Sequence, residues 1–157
     1  MFARPFIDSI EFARNGRELC DEIPIVTLSR LSDLLASSEG TLGYKVIGSQ
    51  QGDSRKLEIV LKGSCQLRCQ RCLGEFTYPI DITTQLQLLP AEKLDETDDD
   101  EDAIEATQQL DVLALIEDEV LLGLPFAPKH SDESCSASLQ NLQQSANPFA
   151  VLAVLKK

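Results

Sequence analysis

From Leu57 onward, apolar and polar positions alternate along the chain. Leu57, Ile59, Leu61, Gly63, Cys65, Leu67 and Cys69 fall on one side, and Lys56, Glu58, Val60, Lys62, Ser64, Gln66 and Arg68 on the other. A second alternation runs through Phe76, Tyr78, Ile80, Ile82, Thr84, Leu86 and Leu88, with Thr77, Asp81, Thr83, Gln85 and Gln87 opposite. A period of two held this long predicts two half-buried strands that turn one face to a core. Leu42, Tyr44 and Val46 predict a third, joined through the polar turn Ser49–Ser54. Together they make an antiparallel meander.

The periodicity changes on either side. Leu28, Leu31, Leu34 and Leu35 share one helical face, with Thr27 as N-cap and Gly40 as terminator, which predicts a short helix over 27–38. Upstream, short apolar stretches between Phe6 and Ile25 flank Asn15-Gly16, a dipeptide that tolerates positive φ and suits a hairpin turn. Residues 111–123 predict a strong helix capped by Asp111 and stopped by Pro125, apolar around most of its circumference except at Glu117–Glu119. That acidic turn reads as a solvated helix edge. Asn147-Pro-Phe-Ala-Val-Leu-Ala-Val-Leu-Lys-Lys predicts a terminal helix, with Asn147 as N-cap, Pro148 in the first turn and two lysines at the negative end of the dipole. The expected fold is α+β. It has an antiparallel β-meander of at least three strands packed against a buried helix and a C-terminal helix, in a single domain over 1–157.

Charge alters this picture in one place. The net charge is −12, yet residues 1–90 carry ten basic and eleven acidic side chains, whereas 91–119 carry one lysine and thirteen acids. The body is near neutral and one segment holds the acidity. Residues 92–105 are therefore read as a mobile acidic linker, since like charges at that density oppose collapse. The run Asp98–Asp102 can attract a basic partner or divalent cations, although a solubilising role suffices to explain it. The near-neutral body leaves a nucleic-acid partner open, which uniform acidity would have argued against. No apolar run approaches the length of a membrane span and no leader pattern opens the chain, so the cytoplasm is the expected location.

Five cysteines, three of them within Cys65–Cys72, suit thiols or metal ligands better than a disulfide framework. Cys69-Gln-Arg-Cys72-Leu-Gly74 sits between the two long strands, so two thiolates can converge on one cation at a hairpin tip. Gly74 is expected to let the backbone turn tightly there, with amides aimed at sulfur. A tetrahedral zinc needs two further ligands. His130 and Cys135, both beyond the buried helix, are the candidates, with Cys65 in reserve. Two free thiols at a turn, or a Cys69/Cys72 redox pair, explain the same motif, although the redox reading expects the motif to open a helix. Around the knuckle, residues 55–72 carry five basic side chains against Glu58 alone. Lys62, Arg68, Gln70 and Arg71 are candidate RNA contacts, since guanidinium groups pair with phosphates and stack on unpaired bases. An ordinary solvated strand face suffices to account for them. The chain has no glycine-rich phosphate loop, no nucleophile elbow and no zincin helix, and its one histidine leaves little material for hydrolysis, so no enzyme is expected.

Three stretches in order resemble the bacterial YceD family: Cys69-Gln-Arg-Cys-Leu, then Leu110 to Pro125, then Asn147-Pro-Phe-Ala-Val-Leu-Ala, with an acidic insert between the first two. That family is described as a factor for accumulation of large-subunit (23S) ribosomal RNA, with plastid relatives. The resemblance covers most of residues 57–157. It implies a part in synthesis, processing or stability of large-subunit rRNA, and a metal-binding character carried by Cys69, Cys72, His130 and Cys135. Cys20 and Cys65 match no position of the family pattern. Large-subunit rRNA or a pre-ribosomal particle is then the expected partner, with a basic ribosomal protein docked by the acidic segment as the alternative. Neither a membrane nor DNA is expected.

Overall fold

The computed structural model describes residues 4–96, 102–131 and 135. The three expected strands form its centre: β3 (Thr41–Gln51), β4 (Ser54–Arg68) and β5 (Glu75–Leu89), an antiparallel meander. Two further strands extend it. A strand at Glu18–Pro24 (β2) pairs antiparallel with β3, and a short strand at Ala103–Glu105 (β6) pairs parallel with β5, giving the order β2-β3-β4-β5-β6. A second, two-stranded ribbon joins β1 (Phe6–Ile7) to β7 (Leu110–Asp111). The alternation holds as expected on β4, where Leu57, Ile59, Leu61, Cys65 and Leu67 are all buried. On β5 the same inward set is buried at Ile80, Leu86 and Leu88 and half-buried elsewhere.

Helix α2 (Val112–Gly123) begins where expected. Asp111 accepts from the amides of Leu113 (3.1 Å) and Ala114 (3.2 Å), which satisfies two of the first-turn donors that have no intrahelical acceptor. Its apolar side closes the core with Val112, Leu113, Ile116 and Val120. The acidic turn differs from expectation. Glu117 and Glu119 are buried, and only Asp118 is exposed. Glu117 Oε1 accepts from the backbone amide of Arg30 at 2.6 Å, and the Arg30 guanidinium pairs with Asp118. Burial of the Glu117 carboxylate is offset in part by this hydrogen bond to the neighbouring turn.

Two expectations fail in the N-terminal part. The hairpin around Asn15-Gly16 is instead a helix, α1 (Ser9–Arg14), capped by Asp8 and leading through the turn into β2. Gly16 supplies the left-handed residue (φ 59°) that stops the helix, so the dipeptide acts as a helix terminator. Gly48 lets α1 lie directly on β3, since a Cβ there would sit 2.6 Å from the Phe12 carbonyl oxygen. The second failure is the helix over 27–38. Two 3-10 turns replace it, Ile25–Thr27 and Ser29–Leu31, and Leu35 then makes a bridge to Leu67. Leu28 and Leu31 reach the core from these turns. Four serines in a dozen residues compete with helical hydrogen bonding, and a segment this short nucleates poorly. The amide of Ala36 donates to the carbonyl of Gln66 at 2.8 Å, which steadies β4 just before the hairpin tip.

The acidic stretch over 92–105 also differs from a plain linker. Residues Ala91–Glu96 form a 3-10 helix, and 103–105 are β6. Half-buried Ile104 packs on the core, and the Gln87 amide donates to the Asp102 carbonyl at 2.8 Å. Pairing with the edge of β5 gives these backbone groups partners that like-charge repulsion alone would not predict. Asp98–Glu101 lie outside the described residues, as does the terminal helix expected at 147–157.

Candidate metal centre

Strands β4 and β5 are joined by six residues, Cys69 to Gly74, folded into a compact knuckle. The Cys69 amide donates to the Gly74 carbonyl (2.8 Å), and the Leu73 amide to the Cys69 carbonyl (2.9 Å). The left-handed residue is Leu73, at φ 62°, and not the glycine after it. Gly74 matters through space: a Cβ would stand 3.4 Å from Cys72 Sγ and 3.7 Å from His130 Cε1, in the gap between two site residues. The segment after α2 comes over this tip. The Gln70 amide donates to the Pro128 carbonyl at 2.8 Å, and the His130 ring stacks at a tilt on Phe76, centroids 5.0 Å apart.

These contacts bring all four expected ligands together. The ligand atoms of Cys69, Cys72, His130 and Cys135 all lie within 4.8 Å of one another. Cys69 Sγ is 3.4 Å from Cys135 Sγ, and Cys72 Sγ is 3.5 Å from His130 Nδ1. Cys69 and Cys135 are fully buried, yet neither belongs to the main hydrophobic cluster. They form a separate polar nucleus at the end of the sheet. Such a set of three thiols and an imidazole can hold a metal ion. Cys65, the reserve, is a core residue on β4, and burial pushes its thiol up to about 11. Cys20 is exposed on β2.

The electrostatics favour thiolate at the tip. Burial resists ionisation of Cys69, but the amides of Cys72, His130 and Arg71 and the Cys135 side chain all hydrogen-bond its sulfur, and the thiol falls to about 5. Hydrogen bonds to Cys135 and Cys69 hold the His130 imidazole above its ordinary range. Arg71 approaches from the tip, with its amide 3.4 Å from Cys69 Sγ and its Nε 2.9 Å from Cys135 Sγ.

The four expected RNA contacts are all exposed, but they are not equivalent. Lys62 lies three residue pairs from Arg68 along the outward face of β4, roughly 20 Å away at strand rise. Lys62 stands opposite Asp81 and Arg68 opposite Glu75 in the register, so each cation has an acid as its cross-strand neighbour. Gln70 is at the tip, and Arg71 turns its Nε to Cys135. Sequence reasoning missed this last contact and the Phe76–His130 stack. The inward position of Phe76, two residues past the knuckle, was a signal for the second; nothing in the spacing signalled the first.

The family described as large ribosomal RNA subunit accumulation protein YceD matches residues 57–156. A Haemophilus influenzae protein named large ribosomal RNA subunit accumulation protein YceD is 30% identical over 173 aligned residues, covering 96% of this chain and 94% of that protein. No solved structure matches the chain. The matched region contains the knuckle, α2 and both distal ligands, and the chain belongs to the YceD family.

Proposed function

We propose that this chain promotes accumulation of large-subunit ribosomal RNA as a non-catalytic cytoplasmic factor, and that a zinc-clamped hairpin tip presents its RNA-contacting surface. The observation that carries the zinc reading is the convergence of three sulfurs and one imidazole nitrogen from two distant segments. Tetrahedral zinc with bonds of about 2.3 Å to sulfur spaces its ligands by roughly 3.8 Å. The 3.4 and 3.5 Å separations fit that spacing after a small expansion. Thiolate-rich donors favour zinc over hard cations, and four protein ligands leave no open position for a substrate, as in structural sites. Zinc there would tie the loop after α2 to the β4–β5 tip and supply no chemistry to a reaction. A dithiol exchange role for Cys69 and Cys72 is disfavoured by the same closed set.

RNA contact is assigned to Arg68 and Gln70 at the tip, with Lys62 extending the surface along β4. Binding to large-subunit rRNA measured over a range of salt tests this. Replacing Lys62 and Arg68 by alanine is expected to weaken binding and to flatten the salt slope by roughly 0.7–0.9 for each phosphate no longer neutralised. Unchanged affinity and slope would reject the surface. A second reading, docking of a basic ribosomal protein by the acidic segment, is favoured by one observation. Asp102, at the end of the acidic run, lines an open cavity of about 610 Å³ between α2, β5 and β6, together with Asp118 and Glu119. Deleting residues 97–101 removes the run and spares β6, so loss of a protein partner with RNA binding intact would select that reading.

A further inference from the structure

We propose that Arg71 is the positioning and charge-balancing partner of the metal centre, and that its guanidinium shields the Cys135 thiolate instead of contacting RNA. This rests on the zinc reading above. A dication with three thiolates and a neutral imidazole carries one net negative charge. That charge sits on sulfurs that are fully buried at Cys69 and Cys135, where an uncompensated charge is costly. One arginine makes the unit neutral, and its guanidinium stays protonated at any working pH.

The geometry singles out Arg71 for this role. It lies between two of the ligands, so its main chain is fixed by the knuckle itself. Its amide faces Cys69 Sγ at 3.4 Å, while its Nε reaches Cys135 Sγ, on the other segment, at 2.9 Å. A single residue thus contacts sulfurs from both segments and helps hold the loop after α2 against the tip. A hydrogen bond to a metal-bound thiolate withdraws electron density from sulfur, which lowers its reactivity toward electrophiles and orients the ligand. Arg68, three residues earlier, has no such contact among the described residues and faces outward opposite Glu75.

The test uses the full chain loaded with zinc, as wild type, Arg71→Met, Arg71→Lys and Lys62→Met. The last removes a cation on the same hairpin but away from the centre. Metal content, release of zinc to a competing chelator, and iodoacetamide alkylation resolved by cysteine are measured on each. Arg71→Met is expected to lose zinc to chelator about 10–100-fold more readily, and to alkylate Cys135 faster by a factor of the same order. Lys62→Met should match wild type in zinc retention and Cys135 alkylation, whatever it does to RNA affinity, and Arg71→Lys should recover part of the protection. If Arg71→Met fails to fold, Arg71→Gln is read in its place, since it removes the charge and keeps a donor. Identical zinc retention and Cys135 alkylation in wild type and the folded Arg71 variant would overturn the proposal. So would a variant that changes only RNA affinity. A wild-type chain that takes up no zinc would overturn the metal centre itself, a separate failure.

Discussion

On the zinc reading proposed above, removing the metal should free one loop and leave the domain standing. The perturbation is a chelator, or Cys135→Ala as its genetic counterpart. The buried cluster of Leu57, Ile59, Leu61, Ile116 and Val120 belongs to the sheet and α2, and neither Cys69 nor Cys135 is a member of it. Beyond metal ligation, the described contacts that hold the segment after α2 to the tip include the Gln70–Pro128 hydrogen bond, the Phe76–His130 stack, the hydrogen bonds of His130 to Cys69 and to the Glu75 backbone, and the Arg71–Cys135 contact. Zinc at a hundredfold excess over its dissociation constant adds about 2.7 kcal/mol to stability. A chain of 157 residues shifts its Tm by about 2–4 °C per kcal/mol, so chelation should lower Tm by roughly 5–10 °C. Limited trypsin digestion reads the local effect. Lys129 is exposed and adjoins His130, and the Lys129–His130 bond should be cut faster once the ligands are released. A fragment containing the sheet and α2 should persist. Collapse of the far-ultraviolet strand signal on chelation would show that the metal nucleates the whole fold. An unchanged cleavage rate after proven zinc removal would show that the loop is held by something other than the metal. Either result refutes the reasoning.

Three further outcomes are expected. Leu73→Gly should stabilise the protein by on the order of 0.5–1 kcal/mol, because a left-handed leucine costs about 1–2 kcal/mol and glycine returns part of that gain as unfolded-chain entropy; Leu73 is 68% exposed, so little burial is lost, and a fall in Tm would contradict this. Burial holds the Glu119 carboxyl above its ordinary value against the opposing hydrogen bond from Thr84, so the folded state binds the extra proton and stability declines as pH rises from the unfolded value through the raised one; Glu119→Gln should melt higher than wild type at neutral pH, with the difference vanishing near pH 4, and a difference independent of pH would reject the cause. Cys65→Ala should keep a full zinc complement at a modest stability cost while Cys135→Ala loses it, as measured by metal content, and the reverse would return Cys65 to the ligand set.

The strands were legible because one physical rule, alternation over a half-buried sheet, operates without interruption from Leu57 to Leu88 apart from the knuckle. Helix α2 was legible because Asp111, an apolar run and Pro125 mark its start, body and end. What misled was local pattern overridden by tertiary demand. Leu28, Leu31, Leu34 and Leu35 look helical, but two 3-10 turns bury Leu28 and Leu31, and Leu35 bridges to Leu67. Glu117 and Glu119 read as solvated because carboxylates usually are, and the acceptor role toward Arg30 is invisible until the turn that carries Arg30 is placed. The same holds for β6, which exists because the edge of β5 offers partners to an otherwise unfavourable stretch.

The candidate centre shows both sides of this. Ligand identity could be read from chemistry, since three thiols and the only histidine leave few other ways to complete four positions around one ion. The role of Arg71 could not, because nearby sequence presents it as one more cation in a basic stretch. Once Nε is committed to Cys135, the basic surface contracts. Arg68 and Lys62 then remain on the outward face, each opposite an acid. Electrostatic attraction to RNA from such a face is weaker than the count of basic residues in 55–72 implies, and falls off within about 10 Å at moderate salt. Under the RNA-binding role proposed above, affinity would therefore come from close contacts at the tip, where Gln70 and Arg68 flank the start of the knuckle. In that proposal a metal fixing the tip's shape would matter for recognition through geometry, by holding those side chains in one arrangement before RNA arrives.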